Sequence, residues 1–161
     1  MEGIYLLLGT NLGDRMANLQ RAKELMMTKM ITVMRESSVY ETAAWGIEDQ
    51  PSFLNQVVQI DFNRTPTRLL ELLLEIEQQM GRIREEKWGS RLIDIDILYF
   101  KDQIIDSNEL KIPHPEIQNR RFTLLPLVEL APDLRHPSLK KTQEELLSQT
   151  PDQLEVKTFN N

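Results

Sequence analysis

The sequence predicts an α+β fold, a ferredoxin-like α/β sandwich whose mainly antiparallel sheet carries flanking helices, an added hairpin and C-terminal helices. Three observations lead there. Strand-like runs recur at residues 4–8, 31–42, 53–62 and 92–100. Helical stripes lie between the first and second runs and between the third and fourth, while only a loop separates the second from the third. The order is therefore β-α-β-β-α-β, which places an antiparallel sheet beneath helices on one face.

Each element has a local reason. IYLLL, residues 4–8, reads as a buried strand closed by the turn-rich GTNLGD. Asp14 can cap a helix whose stripe runs Leu19, Ala22, Met26 and Met30. ITVMRESSVYET, 31–42, has the β-branched content and alternation of one strand. AAWGIEDQPS, 43–52, has no period and is long enough to be a functional loop. In FLNQVVQIDF, Leu54, Val58, Ile60 and Phe62 share one face, and Phe53 and Asn55 point to the other. Thr65-Pro66 starts a helix that turns Leu69, Leu70, Leu73, Ile76 and Met80 inward and stops at Gly81. KDQ, 101–103, turns the fourth strand into a short partner around Ile104-Ile105. Two prolines fix the loop IPHPEIQNR, helices follow near 121–131 and 142–149, and the last dozen residues read as weakly ordered. No repeat or linker divides the chain, so 161 residues make one domain.

Composition narrows the function classes. A net charge of −6 argues against a nucleic-acid or anionic-membrane binder, although a local basic cluster can still hold a small anion. The absence of cysteine excludes disulfides and thiolate metal sites. The five-residue apolar run near the start is too short for a signal h-region or a membrane span, so a soluble, cytoplasmic protein is expected. Small molecules are the expected partners, with the chain acting as a monomer.

The chemistry concentrates in GSRLIDIDILYF, residues 89–100. Period-2 alternation puts Ile93, Ile95, Ile97 and Tyr99 on one face and Leu92, Asp94, Asp96 and Leu98 on the other. Two carboxylates at i and i+2 stand roughly 6–7 Å apart on one face. Left alone they raise each other's pKa and destabilise the strand; a divalent cation reverses the sign of that interaction. Hard oxygen ligands suit Mg²⁺, which takes one or two protein carboxylates and completes its octahedron with water and phosphate. A solvated strand face paired to Lys or Arg is the plainer alternative.

Upstream lie Arg82, Arg84, Lys87 and Arg91, and downstream Arg120 and Arg121. Interleaved Glu85 and Glu86 allow a merely solvated loop. Arginine forks also grip phosphate oxygens bidentately, and cations on both sides of paired aspartates form the layout of a metal–polyphosphate site. GTNLGDR lacks the Lys and spacing of a phosphate-cradling glycine loop, so side chains must hold any nucleotide. Trp88 can stack on a flat ring or cover core. His114, between two prolines, can donate to phosphate, while His136 reads as structural; neither has zinc-ligand spacing. Phe53, Asn55 and Phe122 can sandwich and hydrogen-bond a heteroaromatic ring, or can be packing.

Three stretches together are more specific: DQPSFLN at 49–55, GRIREEKWGSRLIDIDIL at 81–98 and IPHPEIQNRRF at 112–122. With GTNLGDR they resemble the 6-hydroxymethyl-7,8-dihydropterin pyrophosphokinase family of folate biosynthesis, in order from about residue 4 to 135. The resemblance implies transfer of the pyrophosphoryl group of ATP to the pterin hydroxymethyl oxygen, releasing AMP. By position it implies that Asp94 and Asp96 bind two Mg²⁺ ions and that Arg82 and Arg91 stabilise charge on the transferred group. Glu77, Arg84, Trp88, Ile97, His114 and Arg120 would line the nucleotide side. Phe53 and Phe122 would sandwich the pterin, Asn55 would bond its polar edge, and backbone near Thr42, Ala43 and Trp45 would complete recognition.

Some positions depart from the family pattern: Ala43-Ala44 where proline is frequent, Glu85 where a base is common, Pro115 after His114, and Phe53 for tyrosine. The loops at 43–52 and 81–91 would act as lids that exclude water. A non-catalytic binding module and a different Mg²⁺-dependent phosphotransferase or phosphohydrolase are the rival readings. The first predicts no metal-dependent turnover; the second gives no reason for an aromatic slot with Asn55.

Overall fold

The computed structural model describes residues 3–43, 51–81 and 92–159. Its centre is β1, Ile4–Thr10, every residue of which is buried. A near-continuous apolar run suits a strand covered on both faces, and that is the environment it meets. β1 pairs antiparallel with β4 (Phe53–Asp61) on one side and β5 (Asp94–Phe100) on the other. β2 (Thr32–Glu36) and β3 (Tyr40–Thr42) both pair with β4, and β8 (Lys157–Thr158) extends the sheet beyond β3. The order β5-β1-β4-β3-β8 is the antiparallel arrangement expected of the β-α-β-β-α-β chain.

α1, Arg15–Thr28, begins where the Asp14 carboxylate accepts the Ala17 N–H at 3.1 Å. Gly13, at φ +70°, makes the turn into that cap, a conformation disfavoured for a residue with a Cβ. α2, Pro66–Gly81, begins where the Thr65 hydroxyl accepts the Arg68 N–H. Both helices bury their stripes on one sheet face, with Leu19, Ala22 and Met26 meeting Leu69, Leu73 and Ile76 over Ile4, Leu6 and Leu8. Leu72 is buried with them, and Leu70 and Met80 pack half-buried at the margin.

The structure departs from the sequence reading in six places. Met30 lies beyond the end of α1 at φ 66°, 73% exposed, and Ile31 takes the buried position instead. The 31–42 run splits into two strands because Ser37 and Ser38 divert it. The Ser37 hydroxyl accepts the Val57 N–H, and the Ser38 N–H and hydroxyl both donate to Glu129. Ile105 does not return along β5: β6 (Ile105–Asp106) pairs with β7 (Lys111–Ile112) as a separate ribbon, and Ile104 is exposed.

Helices also cover both faces, not one. α3 (Arg121–Leu130) and α4 (Gln143–Gln149) pack Leu124, Leu127 and Leu146 on the second face, against Tyr5, Leu7 and Val57. Tyr99 joins that second face rather than the isoleucine face. A bulge between the Leu6–Ile97 and Tyr5–Tyr99 pairs inserts Leu98, which flips the alternation beyond it. Finally, the terminal segment through 159 is placed against the sheet: β8 pairs with β3, and the Phe159 N–H donates to the Val39 carbonyl at 2.8 Å.

Candidate active site

The site follows from one row of cross-strand neighbours. Asp94 on β5 stands opposite Gly9 on β1, and Gly9 stands opposite Asn55 on β4. Directly paired residues share a face, so Asp94, Gly9 and Asn55 all look toward the α3 side. Two residues along, Asp96, Leu7 and Val57 form the next row on the same face. Two strand spacings put the backbones of Asp94 and Asn55 about 10 Å apart with no side chain between them. Gly9 is what keeps that trough open, since a Cβ there would meet Asn55 Oδ1 at 3.3 Å. Glycine inside an apolar strand was the signal in the sequence for such a close approach.

Above this floor lies a cavity of about 940 Å³. Asp94, Asp96, Phe53 and Asn55 line it from the sheet, and Thr42 and Ala43 from the end of β3. Glu116, Asn119, Arg120 and Phe122 face them from the segment leading into α3. The fourth side is Pro151 to Leu154, with no period to mark it in the sequence. No motif in the sequence marks Glu116, Asn119 or this last segment as part of a site.

The polar groups are arranged rather than scattered. Asn55 and Thr42 are both buried, and the Asn55 amide Nδ2 donates to Thr42 Oγ1 at 3.1 Å, which fixes the amide's orientation beside Phe53. The Arg120 guanidinium lies 5.7 Å from the Phe122 ring centroid, holding cation and aromatic face together. His114 Nε2 stands 3.9 Å from Asp96 Oδ2, while its Nδ1 accepts the Glu116 N–H at 3.1 Å, which leaves Nε2 to carry the neutral ring's proton. Burial lowers the His114 pKa; the Asp96 carboxylate opposes that effect and the Arg120 cation adds to it.

On the opposite sheet face, where Glu41 pairs with Leu54, Arg15 Nη1 donates to Glu41, to the Ser52 carbonyl and to the Ser52 hydroxyl, tying α1 to the residues on both sides of 43–51. The Ser52 hydroxyl, donating to Glu41, holds that carboxyl below its ordinary value, and Arg15 adds to the effect.

Of the residues singled out from the sequence, Asp94, Asp96, Arg120, Thr42, Ala43, Phe53, Asn55 and Phe122 meet on one cavity, with His114 against Asp96. Glu77 and Ile97 do not line it. Ile97 is packed in the α1–α2 core, and Glu77 accepts the Ile95 N–H at 2.6 Å. Trp45, Arg82, Arg84, Trp88 and Arg91, and with them both loops expected to act as lids, lie largely or wholly outside the described residues.

The donor set can be weighed against a cation. Among the described residues no cluster of three or more His, Cys, Asp or Glu could cage a metal. Two half-buried carboxylates on an open cavity instead suit an ion that draws its remaining ligands from water and phosphate, as Mg²⁺ does. Among the described residues no helix is long and apolar enough to cross a membrane.

Similarity to known proteins bears on the family and the fold. The chain is 40% identical over 145 residues to the 2-amino-4-hydroxy-6-hydroxymethyldihydropteridine pyrophosphokinase of Aquifex aeolicus, covering 90% of each chain. It is 46% identical over 135 residues to the protein of the same name from Methylorubrum extorquens, covering 83% of this chain and 85% of that one. The crystal structure of wild-type Plasmodium falciparum HPPK-DHPS with pteroate shares the fold at a TM-score of 0.71 and 20% identity, over 91% of this chain and 42% of that one. Residues 5–132 match the family described as 7,8-dihydro-6-hydroxymethylpterin-pyrophosphokinase, and the chain belongs to that family.

Proposed function

We propose that this protein transfers the pyrophosphoryl group of ATP to 6-hydroxymethyl-7,8-dihydropterin, giving the pterin diphosphate and AMP, as a step of folate biosynthesis in the cytoplasm. The observation that carries the reading is the trough over Gly9. It sets a paired-carboxylate end and an aromatic-amide end about 10 Å apart on one sheet face.

At the ring end, Phe53 and Phe122 supply flat apolar surface and Asn55 supplies an amide already oriented by Thr42. A flat heterocycle with donors and acceptors along one edge suits that slot. Orientation of its hydroxymethyl arm toward the aspartates converts a bimolecular encounter into a positioned attack. At the other end Asp94 and Asp96 would hold Mg²⁺, two ions in our reading. An ion held by these two carboxylates would supply the positive charge that a triphosphate needs to accept an incoming oxygen.

Arg120 offers a cation on the cavity, and His114 Nε2 offers a neutral donor beside Asp96. Arg82 and Arg91 are proposed to meet the charge that spreads over the transferred group, and Arg84 and Trp88 to contact the nucleotide. The new bond joins the hydroxymethyl oxygen to the β-phosphorus and its proton passes to solvent; the bond from that phosphorus to the AMP oxygen breaks. No protein nucleophile is required.

The test is incubation of the purified chain with ATP, Mg²⁺ and the reduced hydroxymethylpterin, with products separated by chromatography. AMP and a pterin diphosphate in equal amounts are expected. ADP, inorganic phosphate or no turnover would overturn the proposal, and the last would leave a non-catalytic binding module.

A further inference from the structure

α3 carries Phe122 into the cavity, yet its first turn is poorly secured by its own residues. Arg120, at the N-cap, makes no side-chain capping bond. Pro126 lies inside the helix and has no N–H to donate to the Phe122 carbonyl four residues back. Besides the backbone bonds of Thr123 and Leu124 N–H to the Arg120 carbonyl, the turn is secured from 31 residues downstream: Asp152 Oδ2 accepts the Arg121 N–H at 2.8 Å. The Arg121 guanidinium returns the contact by donating to the Leu154 carbonyl at 2.9 Å, and Asp152 Oδ1 accepts the Leu154 N–H at 2.9 Å. Three bonds thus close a small ring around one carboxylate.

The same segment then crosses to the other wall. Glu41 pairs with Lys157 and Tyr40 with Thr158, directly before Thr42. Between the two attachments, Pro151, Asp152, Gln153 and Leu154 line the cavity. Resting on the reading of this cavity as the pterin site, we infer that residues 151–158 are a strap completing the ring pocket, and that Asp152 is a positioning residue for Phe122. Without its carboxylate the Arg121 N–H loses its acceptor and the first turn of α3 samples open conformations. Phe122 then faces the ring in only a fraction of molecules, and apparent affinity falls by that fraction.

The experiment compares the full chain with Asp152→Ala, Asp152→Asn and Arg121→Ala. It reads equilibrium binding of 6-hydroxymethylpterin by fluorescence, binding of a non-hydrolysable ATP analogue, steady-state kinetics and thermal melts. Asp152→Ala is expected to raise the pterin dissociation constant and KM about tenfold, with kcat and the nucleotide dissociation constant within about threefold of wild type. Asp152→Asn keeps one oxygen for the Arg121 N–H and should recover most of the affinity. Arg121→Ala, which frees only Leu154, should show a smaller loss in the same direction, and with Asp152→Asn it carries the test if the alanine variant does not fold. Folded variants with lowered melting temperatures but wild-type pterin affinity would overturn the inference alone. A wild-type chain that binds no pterin would overturn the pocket reading and the strap together.

Discussion

The Glu77 carboxylate on α2 accepts the Ile95 N–H at 2.6 Å, the amide lying in sequence between Asp94 and Asp96. Among the described residues β5 ends the sheet order, so its outer backbone groups meet no neighbouring strand of that sheet. Glu77 therefore supplies from a helix what a missing strand would have supplied, at the point where the paired aspartates must hold their spacing.

Glu77→Ala should lower unfolding free energy by about 1–3 kcal/mol, because a part-buried amide loses a charged acceptor. Glu77→Gln keeps an acceptor oxygen and should lose roughly half as much. Urea denaturation measures both; equal stability of the three proteins would remove Glu77 from the support of β5.

Asp94→Asn and Asp96→Asn should each cut turnover by at least about 10²-fold in the AMP-release assay. Both side chains are half-buried on the cavity, and removing one of two like charges relieves repulsion. Melting temperatures should therefore hold steady or rise. Unfolding of either variant would instead mark the pair as structural.

Gly9→Ala places a Cβ 3.3 Å from Asn55 Oδ1, and that amide cannot swing away freely while Nδ2 is bonded to Thr42. The expected result is a pterin KM raised about tenfold, with a stability loss of about 1–3 kcal/mol from overpacking. A variant with wild-type KM would show that the trough does not carry the ring.

His136 gives a pH dependence that does not touch the cavity. It is buried, its ring meets Tyr99 edge-on, and its Nδ1 accepts the Ser138 and Leu139 N–H groups. Burial lowers its pKa below 6.5. In the unfolded chain the ring takes up a proton as pH falls through 6.5, while the folded ring does not. Stability therefore declines as pH drops below that value and levels off only at the folded pKa. His136→Asn retains an acceptor for the two amides and removes the titration. The wild-type minus variant stability should shrink between about pH 7 and pH 5. A pH-independent difference would refute this.

Local chemistry made a good part of this architecture legible. Asp14, Thr65 and Gly13 act where their side chains or backbone freedom predict, and the i, i+2 relation of Asp94 and Asp96 survives into the sheet. What escaped depends on partners distant in sequence. The bulge at Leu98 arises from pairing with β1, so alternation alone carried Tyr99 to the wrong face. Ser37 and Ser38 break a plausible strand through bonds to Val57 and Glu129. Residues 151–154 carry no hydrophobic period, and their place on the cavity is set by Arg121 and by the free edge of β3.

The Asp94–Gly9–Asn55 row has a consequence for how the molecule breathes. Its three residues come from distant parts of the chain and meet only when β5, β1 and β4 are all paired. A ligand lying across the row has no purchase on a molecule in which any one strand has detached. Bound ligand should thus slow amide hydrogen exchange in all three strands by a common factor, as a penalty on opening of the whole sheet centre. Exchange in the β6–β7 ribbon, which shares no strand with the row, should stay as it was.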